Sequence, residues 1–200
     1  EHDAEEIWKN TLDVVDRVAR DHPELAAEFD WLSISNQRET IVVFDRETGQ
    51  PLYNAIVWQC RRADPLCAEL KHAGHEPTVA AATGLKVDTY FPASKLRWLV
   101  ENEPDVAARL HAGSALIGTI DAYLIYRLTG GQVFASDHTN ACRTLLYNIY
   151  SLAWDEQLCQ LFRVPAEALP EVRSSAAQFG QTDAAGRLPS ELPICGVMGD

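Results

Sequence analysis

Arg38 and Glu39 stand side by side in Ser35-Asn36-Gln37-Arg38-Glu39-Thr40, between two apolar runs, 31–34 and 41–44. A guanidinium only donates hydrogen bonds and an ionised carboxylate only accepts them. A hydroxyl does both, so such a couple can hold two neighbouring hydroxyls of a small polyhydroxylated molecule. The competing account is an exposed ion pair at a strand edge, which contributes little to stability. Asp200 follows Val197-Met198-Gly199 at the end of an apolar run. A carboxylate at the carboxyl end of a strand, beside a glycine, suits a general base, although a helix N-cap has the same appearance. Trp58 and Tyr90 can supply an apolar wall with one hydroxyl handle for the carbon face of a polyol, or else pack in a core. Together these five residues are expected to line one hollow.

Other constellations carry less. Asp88 and Asp137 are acids of a type that binds cations, but nothing in their spacing fixes a geometry, and both are read as structural. His138 and Cys142 are four apart, a helical metal-ligand spacing, yet only two ligands are visible and Arg143 follows; no metal site is expected. Neither G-x-x-x-x-G-K-[ST] nor G-x-G-x-x-G occurs, so no phosphate loop of those types is present.

The elements that must position these groups alternate between helix and strand. Ile7, Thr11, Val14 and Val18 recur at helical spacing after Asp3, and His22-Pro23 closes that helix. A strand precedes Arg38. Residues 40–44 and 52–58 read as a hairpin with turn chemistry at 45–50. Helices follow over 63–72, from 78 to 83, over 93–100 and from Pro104. Residues 115–120 form a buried strand, 121–128 a helix with Asp121 as an acidic N-cap, 132–136 a strand, and 155–162 a helix. Residues 179–187 are loop-rich, and 192–199 a closing strand. The class is α/β, with a mixed sheet flanked by helices.

The totals agree with a sizeable globular domain. The chain has 200 residues, 46% hydrophobic and 23% charged, with a formal net charge of -12. That charge argues against nucleic-acid binding, which needs clustered Lys and Arg. No apolar run approaches the ~18 residues that span a bilayer. The acidic start, Glu1-His2-Asp3-Ala4-Glu5-Glu6, is no signal peptide. Five cysteines without a C-x-x-C pair read as reduced thiols of a cytoplasmic protein.

Several longer motifs resemble the glycerol kinases of the FGGY carbohydrate kinase family. They are Ser35-Asn36-Gln37-Arg38-Glu39-Thr40, Tyr53-Asn54-Ala55-Ile56-Val57-Trp58-Gln59 with Arg61-Arg62, Gly118-Thr119-Ile120-Asp121, Thr139-Asn140-Ala141 with Arg143-Thr144, Leu169-Pro170-Glu171-Val172-Arg173, and Gly199-Asp200. The match runs in order along essentially the whole chain. The resemblance implies a ribonuclease-H-like fold of the actin and hexokinase type. It implies transfer of a phosphoryl group from ATP, with Mg²⁺, to a terminal hydroxyl of glycerol. Arg38, Glu39 and Tyr90 would hold the hydroxyls, Trp58 would back the carbon chain, and Asp200 would take the proton.

It further implies that residues 1–200 are the substrate-binding part of a longer, homo-oligomeric enzyme, a dimer or tetramer. The first phosphate-binding hairpin and the ATP domain are expected outside this stretch, and the stretch by itself is expected not to turn over ATP. Two other functions fit the same residues: a sister FGGY kinase acting on another short polyol or a ketose, and a non-catalytic polyol sensor. Asp88-Thr89-Tyr90-Phe91-Pro92-Ala93-Ser94-Lys95 departs from the family pattern around the tyrosine, which bears on strict glycerol preference. His138 stands where the family often has Tyr. The basic, glycine-rich loop that binds fructose 1,6-bisphosphate in some bacterial members is not evident at 183–188, so no such regulation is expected there.

Overall fold

A computed structural model describes all of residues 1–200. The chain opens with helix α1 (Ala4–Asp21), capped by Asp3, whose Oδ1 accepts from the amide of Glu5 at 2.8 Å. A short helix α2 (Pro23–Ala26) leads to strands β1 (Leu32–Asn36) and β2 (Ile41–Asp45). Helices α3 (Asp64–His72), α4 (Glu76–Thr83), α5 (Pro92–Asn102) and α6 (Pro104–His111) follow, each with proline in its first turn, where the missing N–H is no loss. Then come β3 (Ala115–Thr119), α7 (Ile120–Leu128), β4 (Ala135–Asp137) and α8 (His138–Ala141). The rest is β5 (Tyr147–Asn148), β6 (Ala153–Trp154), α9 (Glu156–Leu161), a 3₁₀ turn (Ala166–Ala168), β7 (Glu171–Arg173), β8 (Gln178–Thr182) and β9 (Leu192–Gly199). The expected α/β class is what the chain adopts.

The strands form small sheets rather than one continuous one. The order β1-β9-β8 makes a mixed sheet, with β1 parallel and β8 antiparallel to β9. β2 pairs antiparallel with β3, β4 runs parallel to β7, and β5 pairs with β6. The β2–β3 ladder is buried on both faces. Ile41, Val43 and Ile117 enter one apolar core with α3, α5 and α6. Val42, Phe44 and Leu116 enter a second with α1 and α7. Alternate side chains of a strand point to opposite faces, so two cores on either side leave no polar face. Phe44 anchors the second core, with its ring centroid 5.3 Å from that of Tyr123 and 5.2 Å from that of Tyr126.

Four local expectations are corrected. Residues 52–58 do not form the second strand of a hairpin; only single bridges, Ile41 to Ile56 and Phe44 to Pro51, link them to β2. Pro51 has no N–H to donate, and Ala55 instead exchanges both backbone hydrogen bonds with His2, at 2.9 and 2.8 Å. β2 takes β3 as its partner. The N-cap of α7 is Thr119, not Asp121, which lies fully buried in the first turn. The strand expected over 132–136 is displaced to β4. Residues 178–182, all but the first within a stretch read as loop, make an antiparallel edge on β9, a pairing that only a distant partner provides. All five cysteines are free thiols, and no helix is long and apolar enough to cross a membrane.

Candidate active site

The site begins with the parallel pairing of β1 and β9, which sets Asn36 opposite Gly199. Parallel strands end on the same side, so the residues just beyond each carboxyl end must meet. Arg38 and Glu39 follow β1, and Asp200 follows β9. Arg38 Nε lies 3.9 Å from Asp200 Oδ1. The amide of Asp200 donates to the carbonyl of Asn36 at 3.1 Å.

The glycine before Asp200 is required by this approach. A Cβ on Gly199 would lie 2.1 Å from Arg38 Cδ and 2.2 Å from Cγ. The aliphatic stem of Arg38 therefore lies across bare backbone. Its Nε is buried without a hydrogen-bond partner, a costly state for a charged donor unless a ligand or water completes it. The Asp200 side chain remains two-thirds exposed (67%).

Glu39 is almost fully buried at 3% exposure. Its Oε1 accepts from Arg143 Nε at 2.8 Å, which compensates its charge and leaves Oε2 without a protein partner. The Arg143 guanidinium sits 5.0 Å from the ring centroid of Phe91, within cation–π range. Phe91 in turn packs edge-on to Tyr90 at 5.3 Å, and Tyr90 against Trp58 at 5.5 Å. Four of the five expected residues thus fall into two pairs, Arg38 with Asp200 and Trp58 with Tyr90. Glu39, Arg143 and Phe91 join them.

The expectation that all five residues line one hollow is corrected. Trp58 and Tyr90 line a cleft of about 440 Å³ with Arg61, Asp64, Lys71 and Asp88. Arg38, Glu39 and Asp200 do not line that cleft. They sit beyond Phe91 and Arg143, at the paired strand ends. Asp88 is held below the usual carboxylate range by the amide of Tyr90, against a smaller opposing effect of burial, and pairs with Lys86.

Sequence reasoning missed the support given by Arg143, Lys95 and Thr139, and read a fourth supporting residue, Asp137, only as structural. Arg143 compensates Glu39. Lys95, fully buried, donates from Nζ to the carbonyl of Tyr90 at 2.6 Å and so pins the backbone under the aromatic wall. Burial depresses its pKa to about 8. The spacing of Phe91, Lys95 and Leu99 was the available signal, since residues four apart share one helix face. Thr139 Oγ1 accepts the amide of Gly199 at 2.8 Å. Asp137, fully buried, collects donors from Ser175, Thr139 and Asn140. Burial would raise the Asp137 pKa, but these hydrogen bonds outweigh it and hold the group below the ordinary carboxylate value. Its oxygens are engaged by protein donors, in keeping with the structural role expected for it.

Arg38 and Asp200 thus meet at paired parallel strand ends, and Glu39, Arg143 and Phe91 link them to the Tyr90–Trp58 pair. The chain belongs to the FGGY family of carbohydrate kinases: the model of that family's N-terminal domain matches residues 1–200. Within it, the chain is 48% identical over 200 residues to glycerol kinase 1 of Thermotoga maritima and 50% identical to a glycerol kinase of Chelativorans sp.. Both alignments cover all of this chain and 40% of the relative. The structure of Plasmodium falciparum glycerol kinase with ADP superposes at a TM-score of 0.91 with 36% identity, again over 100% of this chain and 40% of that one. A gluconate kinase from Lactobacillus acidophilus, at 22% identity and a TM-score of 0.83, shares the fold over 100% of this chain and 39% of its own. The chain therefore spans about 40% of the length of its curated relatives.

Proposed function

We propose that residues 1–200 are the substrate-binding domain of an ATP-dependent kinase that converts glycerol to glycerol 3-phosphate. The observation that carries this is the meeting of Arg38 and Asp200, 3.9 Å apart, at the carboxyl ends of the parallel pair β1 and β9. Arg38 donates to one glycerol hydroxyl and the free Oε2 of Glu39 accepts from another. Tyr90 adds a hydroxyl contact, and Trp58 faces the carbon chain. Asp200, 3.9 Å from Arg38, takes the proton of the terminal hydroxyl as it attacks the phosphoryl group. The names carried by relatives at 48% and 50% identity support glycerol over other acceptors.

ATP and Mg²⁺ are part of the proposal for the longer enzyme, where the metal neutralises phosphate charge. Within this chain no cluster of three or more His, Cys, Asp or Glu is arranged to hold a metal. Neither group is assigned ligands among these residues, and the roles above do not depend on them. The nucleotide is assigned to the part of the relatives' length that this chain does not span. Five unpaired thiols support a reducing, cytoplasmic setting.

The test uses the full-length enzyme. Asp200→Asn should lower kcat by roughly 10²- to 10⁴-fold, the usual worth of a positioned proton acceptor, with little change in glycerol affinity. Arg38→Ala should raise the glycerol KM. An Asp200→Asn enzyme with wild-type turnover would remove the base assignment.

A further inference from the structure

We infer that Asp137 and Thr139 are positioning residues that aim Asp200 by gripping the two successive backbone amides that lead into its side chain, those of Gly199 and of Asp200 itself; this rests on Asp200 acting as the base. Two arms leave the buried Asp137 carboxylate. In the first, Thr139 Oγ1 donates to Asp137 Oδ2 at 2.8 Å and Oδ1 at 3.0 Å, and accepts the amide of Gly199 at 2.8 Å. In the second, Asn140 Nδ2 donates to Asp137 Oδ1 at 2.8 Å, Asn140 Oδ1 accepts from Asn36 Nδ2 at 3.0 Å, and the Asn36 carbonyl accepts the Asp200 amide at 3.1 Å. The ring closes through the Gly199–Asp200 peptide unit.

The direction of each bond follows from chemistry. A hydroxyl has one hydrogen. The ionised, fully buried Asp137 accepts it, which leaves the Thr139 oxygen as an acceptor facing Gly199. Protonated or amidated, residue 137 would no longer enforce that orientation. Ser175 donates to Asp137 Oδ2 at 2.6 Å and the amide of Asn140 to Oδ1 at 2.9 Å, which keep the carboxylate charged and still. Within residues 1–200 the hydrogen bonds that fix Asp200 are those of its main chain and of the Gly199 amide before it. The Asp200 side chain is 67% exposed, and its one ion pair, to Arg38, is long at 3.9 Å. Its aim is set through its main chain. β4, which ends in Asp137, is itself fixed by parallel pairing with β7, Asp137 opposite Arg173.

Steady-state kinetics of the full-length enzyme separate positioning from a merely structural role. Thr139→Val removes the acceptor at nearly constant volume. It should lower kcat by about ten- to a hundredfold, as a base displaced by an ångström would, and leave the glycerol KM within about twofold. Thr139→Ser restores the hydroxyl and should recover most of the loss. Asp137→Asn, which keeps the shape but no longer dictates the Thr139 hydroxyl, should give the same kcat loss and supplies the reading if the valine variant does not fold. In an Asp200→Asn background neither substitution should lower kcat further, because the group they aim is gone. Equal losses in both backgrounds, a serine variant as poor as valine, or a rise in KM without loss of kcat would overturn the inference. Normal turnover by Asp200→Asn alone would instead overturn the base assignment, and this inference with it.

Discussion

Asp121→Asn is expected to stabilise the folded chain near neutral pH and to flatten its acid stability profile. Asp121 is fully buried in the first turn of α7. Burial pushes its pKa from 3.8 up to about 6, and hydrogen bonds from Ser136 oppose the shift only in part. Ser136 Oγ donates to Oδ2 at 2.6 Å, and Asn36 Nδ2 reaches Oδ1 at a long 3.5 Å. The sign follows from proton linkage. Between pH 4 and 6 the native chain keeps a proton that the unfolded chain has lost, so stability from this group falls as pH rises and is lost above about 6. A shift of roughly two pH units, at 1.36 kcal/mol each, is about 3 kcal/mol. An asparagine carries no charge to bury, and the Ser136 hydroxyl can turn to accept from its amide. Urea unfolding of wild type and Asp121→Asn at several pH values between 3.5 and 7.5 reads the difference directly. The variant should gain on the wild type by about 3 kcal/mol across that range. Parallel profiles, or a variant that loses ground as pH rises, would refute the burial argument.

Two further outcomes follow from single observations. Lys95 is fully buried with its pKa depressed from 10.5 to about 8. The unfolded chain binds more protons than the native one between those values, so wild type should gain roughly 3 kcal/mol on Lys95→Met as pH rises from 8 to 10.5, read by denaturant midpoints. Equal pH slopes would show that the ammonium is not desolvated. Gly199→Ala places a methyl about 2 Å from Arg38 Cδ and Cγ. Because Gly199 does not occupy the left-handed region, the backbone tolerates alanine and the arginine must move. A glycerol KM raised about tenfold with a nearly unchanged melting temperature is expected in the full-length enzyme; an unchanged KM would show that Arg38 is not used where it lies.

The chemistry-bearing residues were legible because their types are rare in those settings. A guanidinium beside a carboxylate at a strand end, and an acid after a glycine at another, stand out against apolar runs. The helices were legible too, since Asp3 caps α1 and Pro104 opens α6, where periodicity and first-turn chemistry agree. The hairpin misread was a conflict between local and distant partners. Residues 52–58 are apolar enough for a strand, but Pro51 and the bridge from His2 to Ala55 spoil the ladder. No local rule identifies Ala115–Thr119 as the better partner for β2.

Sequence alone determined which groups are present and on what kind of element each sits, because propensity, capping and residue chemistry act over a few neighbours. Tertiary structure decided which of them meet. Residues 36 and 199 become neighbours only through the parallel β1–β9 register. Glu39 finds a charged donor in the interior because Arg143, far along the chain, reaches it. Asp137 became a hub rather than a surface acid because β4 carries it into the centre, where every lone pair must find a donor. Pairings between residues more than a hundred positions apart depend on how whole faces pack, and no short window of sequence records that.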